Sequence, residues 1–407
     1  MSNVKSEGSR IHSVDQFRGY SVAAMFVVNF LGGLAVTHQV LRHNNTHFSY
    51  ADSIMPSFIF VCGLSYRMSF LNRLGDTKSS PSGRVIARSL SLIVLSLMLA
   101  GFNSRLVSWS EMSGQRVIRF VGELLKADLW EVLAIIGALQ ILLLPWIAKA
   151  AWVRIAAFCI FGLAHFCISL SFNYDFVYGR PNWMDEFFGA TGKLAWDGGL
   201  FGLLAWSQIM LAGTLAFDLM KNFRQPSTAG LAIAFGTFLM LSGYCMSCLT
   251  TLYDLQELSE AQSQKVVSSP VIPDFSAARG KSWKTILAEP PFFAPPPPTQ
   301  RALNYWMMDK RVVTQSFVWF STGFALAMFG VFVVACDVHH VGLGIFEMFG
   351  KNPLAAYIIN HFVNHSILAL VPKDSPLVWS LMGLVAAFGI TYWFVRFLDS
   401  RKLYLRL

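Results

Sequence analysis

An all-α, polytopic membrane bundle of about ten transmembrane helices is the fold this sequence predicts, and three observations carry that expectation. Hydrophobic residues make up 54% of the 407-residue chain and charged residues only 14%, whereas ordinary soluble domains carry about 25% charged residues. Mean hydropathy is +0.49. Apolar runs recur near 19–37, 52–71, 86–103, 129–147, 153–172, 198–218, 228–249, 313–336, 343–370 and 376–397. Such runs must be helices, because a lone strand leaves its backbone groups unpaired in lipid. The whole of 1–407 reads as one transmembrane domain with a long polar loop at 250–312.

The first two runs enclose the stretch that organises the chain, Ser13 to Met68. Two apolar segments flank a short polar loop that holds His38, His43 and His47 just before Asp52. Imidazole changes charge closest to neutral pH, so a histidine at this mouth can take or give a proton. Asn29 lies inside the first run and brings four hydrogen-bonding positions into an apolar setting. Asp52 and Pro56 open the second run, where Asp52 fits either a site or a helix cap.

The third run leads into 104–128, where Val117, Phe120, Leu124 and Leu125 recur at helical spacing and predict a helix lying in the membrane interface. Glu131 opens the fourth run beside Trp130, a position suited to capping. His165 stands alone in the fifth and fits a packed core histidine. The segment 173–197 is polar and aromatic. Cys245 and Cys248 fall inside the seventh run, where small packing residues are the simpler reading than redox chemistry. The loop 250–312 includes four consecutive prolines, Pro295 to Pro298, which favour extended backbone. In the ninth run Tyr357, His361 and His365 recur at intervals of four and stripe one helix face, with Asn352 and Asn360 in the same run. Polar groups at membrane depth are costly, so this stripe marks a candidate cavity lining.

Basic residues set the orientation. Lys5, Arg10, Arg18, Arg73, Lys78, Arg84, Arg88, Lys149, Arg154, Lys221, Arg224, Arg396, Arg401, Lys402 and Arg406 fall on one side of a ten-span topology. Far fewer fall on the other, which predicts both termini in the cytoplasm and the His43 loop outside. The same rule accounts for the net charge of +9, and no basic stripe interleaved with aromatics points to nucleic acid. All six cysteines sit in apolar runs, so neither a disulfide framework nor a zinc site is expected. No H-E-x-x-H, Gly-rich phosphate loop or G-x-S-x-G is present, and no metal is expected.

Several stretches then resemble a known family in order along the chain. S-V-D-x-F-R-G at Ser13 to Gly19, Asn29, the loop His43, and D-x-x-x-P-x-F-x-F-x-x-G from Asp52 to Gly63 come first. Trp196 to Ala216, Asp309 to Leu326 and Gly350 to Asn360 follow. Together they resemble the heparan-alpha-glucosaminide N-acetyltransferase-like family of transmembrane acyltransferases, in its bacterial type. The resemblance implies acetyl transfer from cytoplasmic acetyl-CoA to an amino sugar or other glycan across the membrane. It places His43 as base or acetyl carrier, Asn29 at the thioester carbonyl or the imidazole, and Asp52 with them. Substrate contacts fall to His47, Asp197, Asn352, Tyr357, Asn360 and His361. The phosphates of CoA call for cations, for which Arg18, Arg67 and Lys351 near helix ends are candidates, equally readable as positive-inside anchors. The sequence departs from the family between His43 and Asp52, which reads HNNTHFSYAD, and at Asp309, which stands for an Asn.

The implied setting is a multi-pass protein of a bacterial inner membrane, in contact with lipid, with association as a homodimer left open. A transporter is the alternative, its polar stripe lining a path and His43 coupling protons. Paired inverted repeats would mark one, and the sequence shows no internal repeat.

Overall fold

The structure, a computed structural model, describes residues 11–74, 80–101, 108–255, 269–278 and 283–405. Lys5, Arg10, Lys78 and Arg406, the end of the third predicted run at 102–103, and parts of the 250–312 loop lie outside the described residues. The helices in order are α1 (His12–Leu31), α2 (Tyr50–Asn72), α3 (Pro81–Ala100), α4 (Gly114–Glu123) and α5 (Val132–Leu142). Next come α6 (Ala151–Ile168), α7 (Tyr174–Val177), α8 (Trp183–Phe188), α9 (Gly199–Asn222), α10 (Gln225–Ser247) and α11 (Trp283–Ile286). The chain closes with α12 (Gln315–Phe332), α13 (Gly344–Lys351), α14 (Pro353–Leu368) and α15 (Leu377–Ser400). No strand occurs among the described residues; a single isolated bridge joins Asp254 to Arg301.

Among the described residues, seven helical stretches, built on α2, α3, α6, α9, α10, α12 and α15, are long and apolar enough to cross a membrane. The other three predicted runs are helical but shorter or more polar. Asp15, Gln16 and Arg18 occupy the start of α1, and α5 has 11 residues. The run predicted at 343–370 is two helices, because Asn352 leaves helical geometry at φ −133°, ψ 54°. Pro353 disfavours the α region for the residue before it, then starts α14 where its missing N–H is not needed.

Helices α1, α2, α9 and α12 pack on one another at the centre. The apolar windows of α2, α9 and α12 are 72%, 67% and 61% buried, against 17% for α3 and 28% for α15, so the latter two present their sides to lipid. Close approach at the centre depends on missing side chains. A Cβ on Gly63 of α2 would overlap the Met210 carbonyl of α9, and one on Gly213 of α9 would overlap the Phe60 carbonyl of α2; small residues let membrane helices approach in this way.

Buried charge fixes the surrounding elements. Asp218 of α9 accepts from Arg67 Nε of α2 at 2.8 Å and also holds Arg154 of α6, whose other arm donates to Thr214 Oγ1 at 2.7 Å. Lys126 and Asp185 are both fully buried, with Nζ 2.6 Å and 2.7 Å from the two carboxylate oxygens, and Lys126 also sits over the Phe176 ring. Removing one partner of such a pair strands the other charge. Lys126→Met is therefore expected to destabilise the protein by roughly 3–5 kcal/mol, read as a lowered unfolding midpoint in detergent, with Lys126→Met/Asp185→Leu recovering part of the loss.

The predicted interfacial helix forms as α4, with Val117, Ile118 and Val121 exposed. The described parts of the 250–312 loop fold over the bundle end that carries His43. Arg301 binds Asp254 and Glu289, each at 2.5 Å. The Phe292 N–H donates to the Phe48 carbonyl at 2.8 Å, and the two rings meet edge to face.

Candidate active site

The link between α1 and α2 is short and heavily cross-bonded. Arg42 Nη2 donates to the carbonyls of Leu34 and Ala35 at 2.6 Å and 2.8 Å, which closes the chain into a loop. Ser49 caps α2, accepting the Asp52 N–H at 3.2 Å. Asp52, one of whose expected uses was that cap, instead turns its buried carboxylate back on the loop. Its Oδ1 is 2.9 Å from His43 Nδ1, and its Oδ2 accepts the Asn44 N–H at 3.1 Å and lies 2.7 Å from the Ser49 hydroxyl. A carboxylate beside Nδ1 selects the tautomer that carries its proton there and leaves Nε2 with a free lone pair. The His43 side chain is 45% exposed while that of Asp52 is 1% exposed, so the imidazole faces outward on a fixed, dry support.

His43 opens on a cavity of about 490 Å³. Asn29, Glu131, Asp197, Lys310, Arg311 and Tyr357 share its lining, over an apolar floor that includes Met25, Met55 and Phe58. Five separate stretches of chain supply these polar groups. Asn29 comes from the last turns of α1, and Glu131 from the residue before α5, where its side chain makes no capping hydrogen bond. Asp197 is held by strained backbone: Asp197, Gly198 and Gly199 have φ of 46°, 85° and 60°. Two glycines tolerate that conformation without penalty, and Asp197 is kept in it by the Trp206 indole N–H, which donates to its carbonyl at 2.9 Å.

The result is an ion pair across the cavity, Lys310 Nζ to Asp197 Oδ1 at 3.4 Å. Burial pushes the Asp197 carboxyl above its ordinary range, and the Lys310 ammonium pulls it part of the way back. Burial also works against charge on Lys310, but Asp197 and Asp52 outweigh it and hold its proton more tightly than usual. The turn carrying Lys310 is anchored by Asp309, which accepts the Arg311 N–H at 2.7 Å and the Tyr178 hydroxyl; burial pushes Asp309 up to about 6 against those bonds.

The predicted residues divide between this cavity and other places. Asn29, His43, Asp197 and Tyr357 are brought together in it, with Asp52 behind His43. His361 lines an adjoining smaller chamber. His47 bonds Thr46 at 3.2 Å beside the cavity, and burial lowers its proton affinity despite Asp52. Asn352 is buried against the C-terminal segment, bonded to the Leu403 carbonyl and the Leu405 N–H at 2.9 Å and 3.1 Å. Asn360 bonds Thr391 of α15 at 3.3 Å. Neither asparagine lines the cavity.

Among the candidate cations, Arg67 is engaged with Asp218. Arg18 lies at the opposite end of α1 from His43, bonded to Ser65 Oγ at 2.5 Å and to the Gly350 carbonyl at 3.1 Å. Lys351 is beside it, 2.6 Å from Glu347. Sequence reasoning missed Glu131, which it read as a cap, and it named no role for Lys310, Arg311 or Trp196. Only the D-K-R triplet at 309–311, just before an apolar run, signalled Lys310.

The profile of the family described as heparan-alpha-glucosaminide N-acetyltransferase, catalytic, matches residues 10–229. The mouse protein named heparan-alpha-glucosaminide N-acetyltransferase is 28% identical over 123 residues, 29% of this chain and 18% of that protein. The human protein of the same name is 30% identical over 118 residues, 28% of this chain and 17% of its own length. The matched region thus spans less than a fifth of each of these relatives.

Proposed function

This chain belongs to the heparan-alpha-glucosaminide N-acetyltransferase catalytic family, and on that premise we propose that it transfers acetyl from acetyl-CoA to an amino sugar or other glycan. The observation that carries the reading is the His43–Asp52 pair opening, with Asn29, on one cavity. As the acceptor nitrogen or oxygen attacks the thioester carbonyl, His43 Nε2 takes its proton. The Asn29 amide N–H donates to the oxygen on which negative charge develops. Collapse forms the amide or ester, expels CoA as thiolate, and returns the proton from the imidazolium to sulfur. In the two-step variant His43 Nε2 attacks first, giving an acetyl-imidazole that the acceptor then cleaves.

Geometry favours a donor that enters from the far end. Arg18 bonds the carbonyl of Gly350, the residue before Lys351, so two cations stand together at that end, which suits a pyrophosphate and a 3′-phosphate. From Arg18 to Asn29 is eleven residues of α1, about 17 Å at helical rise, a span for an extended thioester arm. The acceptor would then enter at the His43 mouth, on the non-cytoplasmic side.

Asn29→Ala tests the oxyanion role. Its kcat for transfer from radiolabelled acetyl-CoA is expected to fall by roughly 100- to 1,000-fold with little change in KM. An unchanged kcat removes Asn29 from the reaction.

A further inference from the structure

All but one of the charged groups lining the His43 chamber have an opposite partner. Lys310 stands 3.4 Å from Asp197, and His43 Nδ1 stands 2.9 Å from the Asp52 carboxylate. The Arg311 charge favours the buried Asp309 carboxylate. Glu131 is the exception: it lines the same chamber, and no ion pair engages it among the described residues. We propose that Glu131 is a second base in the reaction, taking the proton that an amine acceptor carries as an ammonium before His43 takes the next. The proposal rests on the acetyl-transfer reading above and adds a second proton acceptor to it.

The sequence puts a glutamate where helix starts usually carry Ser, Thr, Asp or Asn. Glu131 has the extended geometry of such a position, φ −77°, ψ 160°, yet its side chain caps nothing. Its backbone is fixed from both sides. The Glu131 carbonyl accepts the Ile135 N–H at 2.9 Å and so begins α5. The preceding Trp130 is buried, and its indole N–H donates to the Leu125 carbonyl at 2.5 Å. The carboxylate is thus held at the chamber wall and is not used by the helix. Groups from four other stretches face the same space: His43 with Asp52 behind it, Asp197 before α9, Lys310 and Arg311 at the close of the long loop, and Tyr357 of α14. Glu131 also lines the smaller chamber, where Asp128, 3.4 Å from Lys193 Nζ, and His361 are its titratable neighbours. With the other charges of the His43 chamber matched, Glu131 is the group there that an incoming cation meets.

An amine on a carbon flanked by polar groups titrates near the α-amino value of about 8, so at neutral pH it arrives mostly as ammonium. In that form it has no lone pair with which to attack. Two protons must leave the nitrogen, and the single basic lone pair of an imidazole holds one at a time. A Glu131 carboxylate oxygen accepts the first, leaving a neutral amine beside a carboxylic acid. The amine nitrogen then bonds to the thioester carbonyl carbon and His43 Nε2 takes the second proton. The C–S bond breaks as that proton passes to sulfur. Glu131 releases its own proton to water once the amide has left. In sum, ammonium and thioester become amide, thiol and one proton.

The test is the pH profile of kcat/KM for glucosamine, measured by label transfer from acetyl-CoA with the full-length protein in detergent. Glu131→Gln must wait for amine that is already neutral in solution. Its kcat/KM is therefore expected to lie about 30-fold below wild type at pH 6.5 and within about twofold of it at pH 9. His43→Ala should show no such recovery. Glu131→Asp keeps a carboxylate and should stay closer to wild type at pH 6.5, and recovery of Glu131→Gln at high pH itself shows a folded variant. A Glu131→Gln loss of equal size at every pH, or no loss at all, would overturn the role of Glu131 and leave acetyl transfer in place. Acetylation of N-acetylglucosamine hydroxyls with none of glucosamine would do the same. Wild-type protein that transfers acetyl to neither sugar sinks the acetyltransferase reading, and this proposal with it.

Discussion

His43→Ala is expected to lower acetyl transfer by roughly 100- to 10,000-fold, the range ascribed to a positioned general base. The expectation follows from position as well as residue type. His43 lines the cavity with its ring braced by a buried carboxylate, which directs its Nε2 lone pair to the role of base in the proposed reaction. His38, whose Nδ1 accepts the Val40 N–H at 3.3 Å, turns its own loop instead, so His38→Ala should keep nearly all activity. The assay is label transfer from acetyl-CoA by purified protein in detergent. If His43→Ala retains wild-type kcat, the base assignment is wrong; if acetyl-CoA does not bind to either form, the enzyme reading goes with it.

Asp52→Asn is the second large effect, and a sharper probe. The substitution keeps volume but removes the charge that receives three donors: the His43 ring, the Asn44 N–H and the Ser49 hydroxyl. An amide can present its NH2 to Nδ1, which would move the ring proton to Nε2 and silence the base. Loss of kcat by roughly 10,000-fold is expected, comparable with the wrong-tautomer effect in serine-protease triads, while acetyl-CoA affinity stays near wild type. Ser49→Ala removes one of the three donors and should cost far less. Unfolding midpoints distinguish catalysis from stability: if Asp52→Asn loses activity only in proportion to folded protein, Asp52 is a cap-region brace and nothing more.

Much of this was legible in the chain. The apolar runs pointed to the helical bundle, and the family resemblance singled out Asn29, His43 and Asp52 around one polar loop, which the structure gathers at one place. They could be read because they are close in sequence, so the hairpin itself brings them together. Asp197 and Tyr357 were named as well, through the resemblance and the helix-face stripe, whereas Glu131 and Lys310 arrive from distant stretches and no local pattern marked their meeting with His43.

Polar residues in apolar runs were the other blind spot. Tyr357, Asn360 and Asn352 looked alike as membrane-depth polar groups, yet one lines the cavity, one bonds a neighbouring helix, and one holds the C-terminal segment. A buried amide serves helix packing and ligand binding with the same hydrogen bonds, so type and spacing cannot separate those uses. The ninth run was also read as one span through Asn352, where Pro353 in fact ends one helix and begins another; the stripe of Tyr357, His361 and His365 lies wholly in the second.

One feature of the cavity bears on how proteins built this way can diversify. The family match ends at residue 229, and within it lie Asn29, His43, Asp52, Glu131 and Asp197. Lys310 and Arg311 come from beyond it, at the close of the loop stitched to the His43 hairpin through Phe292 and Phe48, and Tyr357 comes from α14. The proposed reacting groups and one wall of the cavity thus come from separate stretches of chain. On the proposed function, a different sequence at the close of that loop would reshape one wall of the cavity while leaving the His43–Asp52 pair in place, a route to new acceptors that keeps the same chemistry.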